Sequence, residues 1–224
     1  PSISPYCYTA NNPLKFVDPT GEEINVSSLS EEVQNKLIAS LSKITGLNVG
    51  VKTEKGLTML TYTGSVNEEG TSSTAREMLM NAIKDERIVD VCRGTEKGSM
   101  GGELQIQYDE KQIQGFIDGV KGGLNPETMG FGMVFLHELD HTDLGITKSR
   151  DGEKGVFGVI GSTIKLMNTI RSELGSDYGQ RLSHASKNNP TIDDYQYIPF
   201  DKSSLEWLKK GFNPLNGNRY IQTK

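Results

Sequence analysis

Residues 137–141 read His-Glu-Leu-Asp-His and follow a run of four apolar residues, Met133 to Leu136. On a helix, His137 and His141 lie four positions apart on one face, where both imidazoles can bind one zinc ion. Glu138 lies at the edge of that face, where its carboxylate can take a proton from a zinc-activated water without binding the metal. The spacing therefore predicts a hydrolytic zinc site.

The residues before this motif favour a buried helix. Asn125 is a good N-cap, Pro126 suits the first helical position, and no residue from Met129 to Leu136 is charged. The alternative is a chance HExxH on a surface helix, but a solvated helix would carry charges in this stretch. We therefore predict a helix over residues 126–142 that enters the interior before the histidines appear.

The bulk composition narrows the classes of function. The chain has 224 residues, a net charge of −5 and no long basic run, so nucleic acid is not expected as a partner. No apolar stretch reaches the roughly 18 residues needed to span a bilayer, so no membrane span is predicted. The two cysteines, Cys7 and Cys92, are too few for a disulfide framework, and we expect free thiols.

Hydrophobic periodicity predicts strands in the first half of the chain and the metal-motif helix after them. The predicted strands cover residues 23–26, 47–51, 57–62, 87–92 and 103–108, and the second and third form a hairpin around Glu54-Lys55-Gly56. A capping box at Ser28 precedes a first helix, in which Val33, Leu37, Leu41 and Ile44 recur at helical spacing. Further helices are predicted over residues 75–83, where Ala75, Met78 and Leu79 share a face, and over 126–142, 164–174 and 203–210. This order favours an α+β fold, a small mixed or antiparallel sheet packed on the HExxH helix and a following ligand helix. Residues 98–108 form either a sheet edge that binds substrate as an added strand or an internal strand.

Residues 1–21 differ from the rest of the chain in being rich in Pro, Asn and Tyr. This region resembles the end of an RHS-repeat-associated core in Ser4-Pro5-Tyr6, Tyr8 and the stretch NPLKFVDPTG at 12–21. Such a core is the conserved last part of large bacterial shell-forming proteins, and variable toxin domains follow it in the chain. The resemblance implies that residues 1–21 end such a core, or form a linker arm, and that residues 22–224 are a C-terminal toxin domain. It also implies secretion or delivery into a target cell and a cognate immunity protein as a partner. The alternative is a Pro-rich arm of the same domain.

A catalytic zinc site needs a third protein ligand. The continuation His-x-x-Gly-x-x-His is absent after His141, and the remaining candidates are Asp143, Glu173, Asp177 and His184. Glu173 lies beside the apolar face of its predicted helix, where a carboxylate is costly unless it is paired or metal-bound. The alternative for Glu173 is a surface glutamate at a helix end.

Residues 134–141 and 168–175 together resemble the NleD-like effector metallopeptidases. In that family HExxH is followed by a helix close to Asn-x-x-Arg-x-Glu-Leu-Gly and then by Arg-x-x-Tyr. The resemblance implies a zincin-like fold with His137 and His141 as zinc ligands, Glu138 as the base and Glu173 as the third ligand. Arg181 and His184, where His stands in place of the usual Tyr, become candidates for stabilising the oxyanion.

These observations predict a zinc-dependent endopeptidase that hydrolyses peptide bonds of a protein substrate as the C-terminal toxin or effector domain of an RHS-type secreted protein. One alternative is a nuclease-type RHS toxin with His137 and His141 as acid and base; the acidic balance argues against it. Another is a catalytically inactive binding module that keeps a metal for structure. Glu138 argues against that alternative, because a purely structural site needs no base.

Overall fold

A six-stranded mixed sheet in the order β2-β3-β1-β4-β6-β5 occupies the first half of the fold. The structure is a computed structural model that describes residues 24–63, 66–94, 98–149, 156–184 and 190–224. The strands of this sheet are β1 (Ile24–Asn25), β2 (Asn48–Glu54), β3 (Leu57–Thr63), β4 (Val89–Arg93), β5 (Met100–Gly102) and β6 (Gln105–Tyr108). Strands β1, β4 and β6 run parallel, whereas β2, β3 and β5 pair antiparallel with their neighbours. The sheet is therefore mixed, as predicted, and β5 forms one of its edges.

Six helices accompany the strands, so the described chain is mixed α+β as predicted. They are α1 (Glu31–Thr45), α2 (Ser73–Ile83), α3 (Glu110–Asp118), α4 (Phe131–Asp140), α5 (Ser162–Leu174) and α6 (Lys202–Lys209). The residue that caps α1 is Ser30, whose Oγ accepts the Val33 N–H, and the predicted capping box at Ser28 is wrong. Residues 26–29 instead form a turn that is closed by the Leu29 N–H on the Val26 carbonyl at 3.0 Å.

Helix α4 carries the HExxH motif and begins later than predicted. Residues 126–129 form a separate 3-10 helix, capped by Asn125 as expected, and extended backbone at Gly130 divides it from α4. All ten residues of α4 are buried. The helix packs against α1, α5 and strands β5 and β6. The prediction of a buried motif helix is thus confirmed over a shorter range.

The start of α4 is fixed by its neighbours because its N-cap, Gly130, has no side chain to offer. The Oγ of Ser40 in α1 accepts the Gly132 N–H at 2.8 Å, which satisfies one of the free donors of the first turn. The hydroxyl of Tyr108 in β6 donates to the Phe131 carbonyl at 2.5 Å. Helix and sheet therefore hold α4 in register with β5 and β6.

A second sheet lies in the C-terminal part and was not predicted. Its antiparallel order is β7-β10-β9-β8, formed by β7 (Val120–Lys121), β8 (Thr191–Ile192), β9 (Tyr195–Pro199) and β10 (Tyr220–Thr223). We expected only turns and one helix here, since prolines punctuate this stretch. Pro199 ends β9, so it interrupts no ladder, and Ile198, Phe200 and Ile221 join the hydrophobic core.

Residues 1–21, which carry the resemblance to the RHS-associated core, lie outside the described residues, and so does Cys7. Cys92 is disulfide-bonded, so the prediction of a free thiol there is wrong. None of the helices in the described ranges combines the length and apolar character needed to cross a bilayer.

Candidate metal centre

The chain's three histidines meet at the C-terminal end of α4. The Nε2 atoms of His137 and His141 are 3.3 Å apart. The ring centroid of His184 lies 5.4 Å from that of His137 and 6.3 Å from that of His141. One candidate ligand atom from each residue lies within 4.8 Å of the other two. The three imidazoles therefore lie close enough to bind one metal ion.

The pair formed by His137 and His141 has the separation that a tetrahedral ion requires. With Zn–N bonds of about 2.0–2.1 Å, two imidazole nitrogens on one tetrahedral zinc would be about 3.3 Å apart. The Nδ1 of His141 faces the Ser149 carbonyl. Because a carbonyl can only accept, the proton of the neutral ring lies on Nδ1 and leaves the Nε2 lone pair for a metal. His184 lies within 4.8 Å of the other two and is the third candidate ligand.

His137 is held in the neutral form that binds metals. Burial is the main cause that lowers the pKa of its imidazole well below the ordinary value, and the positive charge of Arg181 adds to it. Among the described residues, no hydrogen-bond partner reaches its Nδ1. A neutral, buried imidazole is suited to metal coordination because no proton has to be displaced from the ligand nitrogen.

Glu138 is buried beside the histidines, and its Oε2 accepts the Gly101 N–H at 2.7 Å. Burial raises the pKa of its carboxyl to about 7, against the opposing effects of the Gly101 hydrogen bond and the charge of Arg181. A carboxyl group with a pKa near neutrality can both take up and release a proton at physiological pH. This is the property that a general base requires.

Strand β5 approaches α4 closely enough that only glycine fits at its middle position. A Cβ placed on Gly101 would lie 2.0 Å from the Glu138 carbonyl oxygen. The adjacent Gly102 has open space at the same position. The segment 98–108 thus divides, with β5 at the sheet edge and β6 inside the sheet.

The structure does not bring Glu173 to the histidines, and its predicted role as third ligand is wrong. Its carboxylate lies at the N-terminus of α2, where it accepts hydrogen bonds from the hydroxyls of Ser72, Ser73 and Thr74 and from the Thr74 N–H. The free N–H groups of a helix start and the positive end of its dipole attract a carboxylate. Helix α5 therefore supplies no ligand, and Glu173 links it to α2 instead.

His184 and Arg181 both lie at the site, as predicted, but His184 lies with the candidate ligands and Arg181 lines the pocket beside them. His184 joins the two motif histidines as the third imidazole, so its predicted role at the oxyanion is replaced by that of a candidate ligand. Arg181 is buried, donates from Nε to the Ser183 carbonyl at 2.8 Å, and lines a pocket together with His137, Glu138 and His184. Its charge acts on both His137 and Glu138.

Asn168 in α5 holds the segment that carries Arg181 and His184, a role that the sequence did not predict. Its amide donates to the Arg181 carbonyl and accepts the Arg181 N–H, both at 2.9 Å. Arg171 donates to Asn168 Oδ1 at 3.1 Å and to the Thr128 carbonyl at 2.9 Å. Asn168 and Arg171 therefore connect the 181–184 segment to the 3-10 helix that precedes α4. The feature of the sequence that could have indicated this role is the polar residue Asn168 between the apolar Met167 and Ile170.

Comparison of the chain with models of known protein families, with curated proteins and with solved structures gives no significant match.

Proposed function

We propose that this chain is a zinc-dependent endopeptidase with a zincin-like fold. The observation that carries the proposal is the meeting of three imidazoles beside a buried carboxyl, Glu138, whose pKa lies near 7. Three protein ligands leave a coordination position open, which is typical of catalytic zinc sites and not of closed structural ones. Imidazole nitrogens are also the ligands that zinc commonly takes.

His137, His141 and His184 would hold the ion, and when bound zinc lowers the pKa of a coordinated water to about 7 and polarises a carbonyl. Glu138 accepts the proton of the attacking water and delivers it to the leaving amine. The Gly101 N–H restrains the carboxylate while the proton is transferred. Arg181 supplies positive charge near the site, where negative charge develops on the carbonyl oxygen of the substrate.

The substrate in this proposal is an extended peptide that adds to the edge strand β5. Edge strands offer backbone groups for such pairing, and β5 lies directly against the helix that carries Glu138, which already accepts the Gly101 N–H. A peptide bound there would pass across the metal centre with its backbone held by the strand. Such binding requires an extended backbone, so the substrate would be cleaved within an unfolded or flexible stretch.

The biological setting we propose is that of a toxin or effector domain, residues 22–224, of an RHS-type secreted protein. It rests on the resemblance of residues 1–21 to the end of an RHS-associated core. Such a domain would be secreted or delivered into a recipient cell and would be neutralised in the producing cell by a cognate immunity protein.

The proposal is tested by metal content and proteolysis of protein purified without chelator. We expect about one zinc per chain and cleavage of an unfolded protein substrate such as reduced casein. Glu138→Gln keeps the shape but cannot accept the proton, so zinc should stay bound while cleavage is lost. Glu86→Gln, at an exposed position, is the matched control and should cleave like the wild type.

Absence of zinc uptake by the wild type, or equal cleavage by Glu138→Gln, would contradict the proposal. Expression in a sensitive host separates the alternatives. Equal toxicity of the wild type and Glu138→Gln would favour a nuclease or binding role.

A further inference from the structure

The loop that follows α4 is tied back to a buried carboxylate, Asp140, inside the HExxH motif. Asp140 has no exposed surface. Its Oδ1 accepts the Thr147 N–H at 2.8 Å, and its Oδ2 accepts the hydroxyls of Thr147 and, at 2.7 Å, of Thr163. All three donors are neutral, so the carboxylate is satisfied by hydrogen bonds from the loop and from the first turn of α5.

The same loop presents a backbone carbonyl to a candidate metal ligand. Thr147 Oγ1 accepts the Ser149 N–H at 3.3 Å, and the Ser149 carbonyl faces Nδ1 of His141. The loop also lies against the end of α4, since a Cβ on Gly145 would lie 2.2 Å from the Asp140 carbonyl oxygen. A chain of contacts therefore runs from Asp140 through Thr147 and Ser149 to His141.

We propose that Asp140 and Thr147 are positioning residues that set the metal affinity of His141 through the Ser149 carbonyl. This inference rests on the proposed metal site. A carbonyl that accepts the Nδ1 proton fixes the tautomer and orientation of a ligating imidazole and makes its other nitrogen a better donor. Asp140 holds Thr147 through both its N–H and its hydroxyl. Loss of the hydroxyl removes one of these bonds and the acceptor of the Ser149 N–H, which loosens the Ser149 carbonyl at the ring.

Asp140 also connects the loop to α5. Thr163 anchors the same carboxylate to α5, the helix whose Asn168 holds the segment of His184. Helix α5 thus contacts both the loop that faces His141 and the segment that carries His184.

The test compares Thr147→Val, which removes the hydroxyl at nearly constant shape, with Thr147→Ser, which keeps it. Zinc dissociation constants are measured by competition with a chromophoric chelator, and the Co²⁺-substituted proteins are compared by visible absorption. We expect Thr147→Val to bind zinc at least roughly tenfold more weakly and to change the Co²⁺ bands, because supporting contacts of this kind are worth about 10–100-fold in affinity. Thr147→Ser should bind within about twofold of the wild type, since its hydroxyl can make the same contacts.

Two controls separate positioning from stability. Thr169→Val removes an exposed hydroxyl of α5 and should leave zinc affinity unchanged. Thermal unfolding of each metal-free variant gives its stability independently of metal. Asp140→Asn serves as a second variant and should also weaken zinc binding; if it does not fold, the Thr147 pair decides.

The possible results are distinguishable. If the wild type takes up no zinc, the proposed function falls and this inference falls with it. If the wild type binds zinc and Thr147→Val binds it equally well, only this inference is overturned. A lower melting temperature for metal-free Thr147→Val with unchanged zinc affinity would assign the network to stability alone and would also overturn it.

Discussion

Gly101 and Glu138 are joined by a 2.7 Å hydrogen bond from the backbone N–H of the sheet edge to the carboxylate oxygen Oε2. The same two residues are in close backbone contact, because a Cβ on Gly101 would lie 2.0 Å from the Glu138 carbonyl oxygen. The edge strand therefore both restrains the proposed base and is the strand to which we propose that substrate adds. Any displacement of β5 therefore changes both the position of the Glu138 carboxylate and the proposed substrate-binding edge.

We expect Gly101→Ala to lower peptide hydrolysis by roughly 100-fold, since a displacement of about 1 Å at a reacting group can cost that much. Zinc content should stay near one per chain because the histidines lie on α4 and on the 181–184 segment. Gly102→Ala is the matched control, as its Cβ would enter open space. Equal turnover of Gly101→Ala and Gly102→Ala would show that the contact does not position Glu138.

The identity of the third ligand gives a second prediction. His184→Ala should weaken zinc binding by at least roughly tenfold, because it removes one of three imidazoles from the set. Glu173→Ala should keep zinc affinity, since its carboxylate is bound to the start of α2. Zinc titration of both variants measures the difference. Loss of zinc in Glu173→Ala with retention in His184→Ala would reverse the assignment.

Glu173 should make stability depend on pH. Burial opposes its ionisation, but the hydrogen bonds from Ser72, Thr74 and Ser73 together hold the pKa of its carboxyl below the ordinary value. A carboxyl with a lowered folded-state pKa stabilises the fold above its unfolded pKa of about 4.3, and this contribution is lost as pH falls through the folded pKa.

The measurement is urea unfolding of the metal-free wild type and Glu173→Gln at pH 7 and near pH 3. The wild type should be the more stable at pH 7, and the gap should narrow at the acid end. Glu86→Gln, at an exposed position, is the control variant. A gap that stays constant with pH would mean that the ionised form of Glu173 is not what stabilises the contact between α5 and α2.

Asn168→Ala should lower the free energy of unfolding by about 1–3 kcal/mol, because it leaves the buried N–H and carbonyl of Arg181 without their partner. Turnover should fall as well, since the segment with Arg181 and His184 loses its attachment to α5. Thr169→Ala, one residue on and exposed, provides the comparison. Matching stabilities for the two variants would contradict the bracing role of Asn168.

The sequence predicted the elements whose patterns are local. The helical spacing of Ala75, Met78 and Leu79 predicted α2, the turn at Lys55-Gly56 predicted the β2–β3 hairpin, and the uncharged stretch before His137 predicted a buried α4. Each signal lies within a few residues of the element it defines, so no knowledge of distant contacts was needed.

Apart from the cap of α1, which is Ser30 and not Ser28, the following errors concern contacts between distant parts of the chain. Glu173 was preferred to His184 as third ligand because local periodicity places a side chain on a helix face but does not show which distant helix it faces. The hydrogen bond from the Gly101 N–H to Glu138 could not be predicted, because every residue except proline has a backbone N–H and the sequence does not show which one faces the carboxylate. Strands β9 and β10 were missed since they pair with each other across a helix and Pro214.

The complete enclosure of α4 separates chemistry from recognition in this molecule. A helix with no outward face has no position that can be altered to suit a new substrate without disturbing the core or the metal site. That freedom is left to those positions of segments 98–103, 142–149 and 180–183 that border the site and have no role in the proposed metal centre. In the proposed peptidase, substitutions that suit a different substrate are therefore expected at those positions and not among the ten buried residues of the helix.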